Sequence, residues 1–470
     1  MEYLWQGNCG YDKYYFDQKV NTQGIVTRKE LGAKQQLPSQ ANVISQIKVG
    51  IWIYLILLLF EGALRKWFLP SLATPLLVIR DPVAMGVIFL AIYYRLAYWN
   101  IYLIITLFVG LFSLSLSLLA GHGNIYVSLY GLRPMLIHFP FIFVIASVFD
   151  RSDVEKVGKF LLWVTPFMTL LIALQFYSPQ SAWVNRGVGG DIAGAGFSGA
   201  MGYFRPPGTF SFTNGNTLFY SLVACFIFYF WLVKSNVSKG ILLFATIGAI
   251  IAIPLSISRA YFFQFLITLG FSSVCLLTNQ KMIGKGISIL LIGVLISLIL
   301  SQFSFFQTGI EAFTARFENA NKAEGGVSRV IGDRFLGGLF SAIADAGDQP
   351  IWGYGLGMGS NVGSMLLTGE KAFLIAEGEW ARVVGEMGPL LGLILIFMRV
   401  SLGINVFMNS IQSIGNSHFL PWILMSFGFL EIAIAGWSQA TSLGFSIITS
   451  GLVLASFQKP KKIPVTVELS

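Results

Sequence analysis

Charge is scarce in this chain. Only 11% of its 470 residues are Asp, Glu, Lys or Arg, against 55% hydrophobic residues, and that balance excludes a soluble globular protein. Cysteine and histidine are rarer still, at three each. Cys9, Cys225 and Cys275 have neither plausible disulfide partners nor metal-ligand spacing, and His122, His138 and His418 form no ligand-spaced set. Residues 1–45 hold no long apolar run, so no cleavable leader is expected. No glycine-rich loop follows a strand in a βαβ unit, and the Gly-Tyr-Gly-Leu-Gly-Met-Gly run at 353–359 reads as a tight turn, not a nucleotide loop. The net charge of +9 belongs to membrane-protein loops and does not point to nucleic acid.

What the chain has in abundance is apolar runs of membrane-crossing length. They predict an all-α polytopic bundle of about twelve transmembrane helices at 49–68, 82–98, 101–119, 134–149, 157–177, 217–233, 241–257, 260–277, 287–305, 384–406, 419–435 and 443–457. The expected organisation is a tail over 1–48 and a bundle over 49–305 interrupted by an outer loop at 178–216. A large outer loop with short helices follows over 306–382, then a second bundle segment over 383–457 and a tail over 458–470. Leu336, Leu339, Phe340 and Ile343 mark an amphipathic stretch in the large loop.

Cytoplasmic loops retain Lys and Arg, which places both tails inside. Eighteen basic residues then fall inside, fourteen of them Lys, with Arg399 among the other four. The thirteen outside include ten Arg: Arg65, Arg80, Arg133, Arg186, Arg205, Arg259, Arg316, Arg329, Arg334 and Arg382. Arginines held outside against that bias call for an anionic partner, and a guanidinium fork grips phosphate through two bonds where Lys offers a point charge.

Individual arginines carry this reading unequally. Arg205, in Arg-Pro-Pro-Gly-Thr-Phe ahead of Asn214, stands where the chain re-enters the bilayer, as a phosphate ligand or an interfacial anchor. Arg259 follows Ser256 and Ser258 between two spans with almost no loop, facing a cavity or snorkelling from a hairpin. Arg133, at the mouth of the fourth span, is a third phosphate contact or half of an ion pair, and Arg65 with Arg80-Asp81 reads as a salt-bridge cluster. Glu377, Glu379 and Glu386 surround Arg382 where the large loop returns. Glu379 and Glu386 stand at helical pairing distance from Arg382, while Glu377 or Glu379 is a candidate general base. Ser258, Asn214 and Arg382 are candidate substrate contacts, and Glu431 is an intramembrane carboxylate expected to hold the bundle together.

Taken in order, Tyr-Gly-Leu-Arg133, Arg205-Pro-Pro-Gly-Thr-Phe, Ser-Arg259-Ala, the 353–359 glycine run and Glu377-Gly-Glu-Trp with Gly385-Glu-Met-Gly resemble the O-antigen ligase and O-antigen polymerase superfamily over about residues 130–392. The resemblance implies a GT-C-like membrane glycosyltransferase in a bacterial inner membrane, acting at the periplasmic face on undecaprenyl-diphosphate-linked oligosaccharide among membrane lipids. It implies neither metal nor cofactor, and diphosphate ligands at Arg205 and Arg259. The ligases of that superfamily carry a catalytic histidine near the end of the large loop. Here Glu377 stands nearest that place, which favours a polymerase of O-antigen or exopolysaccharide repeat units over ligase-type transfer. A chain-length regulator is the protein partner such a polymerase would take. A flippase of lipid-linked glycans is the competing class, and it would show inverted repeats, of which the sequence has none.

Overall fold

The computed structural model describes residues 40–97, 99–233, 236–278, 283–324, 349–370, 372–376 and 378–460. Its helices in chain order begin with α1 (Gln40–Ala63, prolonged by a π-helical turn Leu64–Phe68), α2 (Arg80–Tyr93), α3 (Ile101–Leu119), α4 (Ile125–Val148) and α5 (Arg151–Tyr177). An antiparallel hairpin of β1 (Phe197–Ala200) and β2 (Tyr203–Arg205) precedes α6 (Thr213–Leu232), α7 (Lys239–Leu255), α8 (Arg259–Thr278) and α9 (Ile283–Leu300). Then come α10 (Ser304–Glu324), α11 (Asn361–Thr368), α12 (Glu379–Gly415), α13 (Phe419–Ala433) and α14 (Ala440–Ser456).

Among the described residues, nine helices are long and apolar enough to cross a membrane, and α7, α13 and α14 are shorter apolar helices. The protein is therefore a multi-pass membrane protein built as an all-α bundle, and each apolar stretch read from the sequence holds one of these helices. The central helix is α6, buried along almost its whole length, with Phe219, Tyr220, Phe226 and Tyr229 packed among its neighbours. By contrast α9 exposes Leu291, Val294, Leu295 and Leu298, a face suited to lipid.

Three features depart from expectation. The fourth helix begins at Ile125, not near Pro134, because Asn124 Oδ1 caps it by accepting from the N–H groups of Tyr126 (3.0 Å) and Val127 (3.3 Å). Pro134, lacking an N–H, is absorbed inside the helix by a π-helical turn over Pro134–His138. Arg133 consequently lies nine residues into the helix and is buried, away from its mouth.

The large loop opens on a helix of 21 residues, longer than the short helices expected there, since α10 follows α9 after a short turn. Its Gly309 faces Leu255 and Pro254 at the end of α7. The amphipathic stretch from Leu336 to Ile343 lies outside the described residues.

Helix α12 is the third departure. Gly388 (φ 78°, ψ 167°) and Pro389 break it, and the arm before the break folds back on the arm after it. A Cβ on Gly392 would lie 2.8 Å from the Val384 Cα, a contact impossible along one straight helix. This fold-back carries Arg399 to Glu379 and to the carbonyls of Ile432 (3.1 Å) and Ala435 (2.8 Å), at the end of α13. Arg399 is thereby joined to Glu379, twenty residues earlier in the chain, and to the end of α13.

Candidate functional site

Arg205 is fixed by a loop that the bundle grips from several sides. Gly208 adopts φ +63° after two prolines; its N–H donates to Gln175 Oε1 (2.8 Å), and its carbonyl accepts from Gln175 Nε2 (3.1 Å) and Lys66 Nζ (2.6 Å). Thr209 Oγ1 donates to the Leu59 carbonyl, and Asn216 Nδ2 donates to that of Pro206 (3.3 Å). Gly62 lets the loop approach α1, since a Cβ there would stand 2.4 Å from the Ser211 nitrogen. Pro-Pro-Gly stiffens the chain, and these contacts hold it against α1 and α5.

The hairpin brings Arg205 to the turn between α7 and α8. Met201 (φ 54°) and Gly202 (φ 79°) close it as a two-residue turn with both φ positive. A Cβ on Gly199 would lie 2.7 Å from Ile257 Cδ1 and 3.6 Å from Arg205 Cγ, so hairpin, Arg205 and that turn are packed together. Ile257 itself takes φ 47°, after which Ser258 Oγ caps α8 by accepting from the Tyr261 N–H (3.3 Å). Arg259 is the first residue of α8.

A third arginine joins this corner from α10. Phe313 and Phe317 of α10 meet Phe262 edge-on, with ring centroids 5.7 and 5.9 Å apart, and Phe317 also meets Phe263 at 5.8 Å. Arg316 therefore sits beside the first turn of α8, which Arg259 opens. The electrostatics agree: Arg205 is pushed down to about 10 by burial and, after that, by the positive charges of Arg316 and Arg259. Arg205 Nε is buried with no hydrogen-bond partner among the described residues. In the first turn of α6, Asn216, which holds the Pro206 carbonyl next to Arg205, has a buried Oδ1 with no partner among the described residues, as has Thr213 Oγ1, and Asn214 is half-buried. Two neighbouring cations thus disfavour the charge on partly buried Arg205, and an anion bound beside it would relieve that repulsion.

Other candidates from the sequence lie elsewhere. Arg133 is not part of this corner: its Nη1 donates to Asp81 Oδ2 (3.2 Å) and its guanidinium lies over the Tyr130 ring at 4.3 Å. Asp81 also meets His138 Nε2 (3.0 Å), whose Nδ1 meets the Tyr54 hydroxyl (2.9 Å). Glu61 pairs with Arg65 (3.3 Å) and Arg80 (3.1 Å), so the first-loop charges do form a local cluster.

Glu379 is unavailable as a base. Its two oxygens accept from Arg382 Nε (2.9 Å), Arg382 Nη2 (2.8 Å) and Arg399 Nη1 (3.1 Å). Arg382 also donates to Glu386 Oε2 (2.6 Å), which removes it as a substrate contact. Ser258 is buried and committed to Thr217 Oγ1 (2.8 Å) and the Tyr261 N–H, so it builds the helix start instead of facing a ligand. Glu377 lies outside the described residues.

Glu431 is buried beside the Ile432 carbonyl that Arg399 binds, and its Oε2 has no hydrogen-bond partner among the described residues. The 353–359 turn is sewn between helices: Leu356 N–H donates to Ser117 Oγ (3.1 Å), and Gly359 N–H to Glu386 Oε1 (2.9 Å). Arg316 escaped sequence reasoning because it has no motif around it. Its only signal was membership of the outside arginines, together with the spacing of Phe313 and Phe317.

Fold and site together define a multi-pass helical membrane protein with an arginine-lined corner at one end of its bundle. No family model, no curated protein and no solved structure matches the chain.

Proposed function

We propose that the protein is a membrane glycosyltransferase that polymerises lipid-linked polysaccharide repeat units. It transfers a growing glycan from a polyprenyl diphosphate to a sugar hydroxyl of a second lipid-linked unit, at the outer face of a bacterial plasma membrane. The reading includes a GT-C-like bundle of about twelve spans with both tails inside, following the Lys and Arg bias of the loops. It rests on the likeness of the ordered motifs to the O-antigen ligase and polymerase superfamily. The observation that carries it is the packing of Arg205 with the turn that leads into Arg259, two arginines far apart in sequence that share one partly buried corner.

In this mechanism Arg205 and Arg259 hold the diphosphate and stabilise the negative charge that grows on it as the anomeric carbon–oxygen bond breaks. The electron pair leaves with the diphosphate oxygen, and the acceptor hydroxyl oxygen forms the new bond from the opposite side, inverting the anomeric centre. Glu377 takes the hydroxyl proton, since Glu379 is held by two arginines.

Purified protein supplied with lipid-linked oligosaccharide tests the whole reading. Longer chains of inverted linkage are expected from the wild type, and none from folded Arg259→Ala. Long polymer from that variant would end the assignment of Arg259, and the absence of product from wild type would favour transport of the same lipid.

A further inference from the structure

We propose that Glu431 is a proton-binding site: the folded protein holds this carboxyl as the neutral acid at neutral pH, and the bound proton keeps Arg399 on the fold-back of α12. Glu431 lies in α13, one residue before the Ile432 carbonyl that Arg399 Nε binds (3.1 Å). It is 4% exposed, and its Oε2 is buried. Among the described residues its carboxyl has neither a hydrogen bond nor an ion pair.

The neighbouring charges are already matched. Around the fold-back, Arg382 and Arg399 face Glu379 and Glu386, two guanidiniums against two carboxylates. All three nitrogens of Arg382 donate to that carboxylate pair. The three of Arg399 donate to Glu379 Oε1 and to the carbonyls of Ile432 and Ala435. Glu431 is thus a third carboxyl beside a balanced cluster, and the cation whose charge reaches it is Arg399. The other helices packed on α13 are α14, α6 and α8. No residue of α14 is charged or titratable, and its Ser446 hydroxyl donates to the Glu431 main-chain carbonyl (2.6 Å). Helix α6 brings Tyr220, Cys225 and Tyr229, and α8 brings Tyr261, Cys275 and, at its first position, Arg259. A buried carboxylate without a partner sheds its charge by taking up a proton. The bare charge would instead draw Arg399 towards itself, at the expense of Glu379, and loosen the tie between the two arms of α12.

The test uses the full chain in detergent and Glu431→Gln, a neutral side chain of the same shape. Infrared spectra at neutral pH should show a protonated-carboxyl carbonyl band in the wild type that the variant lacks. Thermal melting supplies a second readout. Where the folded protein keeps a proton that the unfolded chain has released, each unit of rising pH lowers the wild-type folding constant up to about tenfold relative to Glu431→Gln. The melting temperature of the wild type should therefore fall behind that of the variant progressively from about pH 5 to about pH 7. A wild-type spectrum without the band, spectra identical in the two proteins, or melting temperatures that keep a constant gap across that range would each overturn the proposal. If Glu431→Gln is not monodisperse, Glu431→Leu replaces it. If neither neutral residue gives a folded protein, the negative charge is required and the proposal falls.

Discussion

Arginine is buried or half-buried in two kinds of surroundings in this molecule. In the fold-back of α12, Arg382 and Arg399 share Glu379 while Arg382 also holds Glu386; in the first-loop cluster, Glu61 meets Arg65 and Arg80 while Asp81 meets Arg133. There each guanidinium has its carboxylate inside the protein. In the corner of Arg205, Arg259 and Arg316, the charges that act on Arg205 are both positive. A buried ion pair is complete and acts as structure, because removing either partner strands a charge. An arginine surrounded by arginines is incomplete without an external anion, so imbalance, more than burial, separates a site from a strut.

That contrast can be broken by experiment. The largest effect is expected from Glu379→Ala, which leaves Arg382 and Arg399 short of a buried carboxylate and should cost about 3–5 kcal/mol of stability. A fall in melting temperature in detergent is the readout, and an unchanged one would mean that the fold-back is not held by charge.

Arg205→Ala should do the reverse. Polymer formation should drop about 10²–10³-fold, the scale seen when one preorganised donor to a developing anion is lost. The melting temperature should stay level or rise, because a repelled cation has been removed. A large loss of stability would place Arg205 with the struts.

Asp81→Asn should cost less than Glu379→Ala, about 1–3 kcal/mol, because the amide can still accept from one neighbour of the Arg133–His138 pair. The same melting experiment ranks the two variants, and the reverse order would mean that Asp81, not Glu379, is the carboxylate on which the buried arginines depend most.

The smallest effect concerns pH. Burial and two neighbouring cations lower the Arg205 value to about 10, so Arg205 stays protonated at neutral pH and loses its charge earlier than an ordinary arginine. Pyrophosphate binding should hold steady from about pH 7 to pH 9 and weaken above about 10, as the cation is lost. Because bound anion raises the arginine value again, the decline should begin at higher pH when ligand is saturating. Binding that decays already near neutrality would point to a different titrating group.

Much of the bundle was legible from hydropathy alone, because an apolar run in lipid must satisfy its backbone internally and a helix does so locally. What escaped was set by contacts across the chain. The start of α4 turned on the Asn124 cap and on a π-helical turn around Pro134, and that shift of register moved Arg133 from the rim to the interior. The break at Gly388 brought Arg399 to Glu379, a meeting that a reading of each apolar run as one straight span does not foresee. Glu379 and Arg382 were correctly seen as pairable at i, i+3, but the arrival of Arg399 from twenty residues further on was not readable, and it is what closes the carboxylate.

By itself, the order of residues determined that this protein lives in a membrane, that its segments are helices, and that Arg205 and Arg259 are held by prolines, glycines and short turns. These are local properties, fixed by side-chain apolarity and backbone sterics. Only the tertiary structure decided which arginines meet a carboxylate and which meet one another. Charges act through space over several ångströms, so the partner of a guanidinium is chosen by packing, as Phe317 against Phe262 chooses it for Arg316.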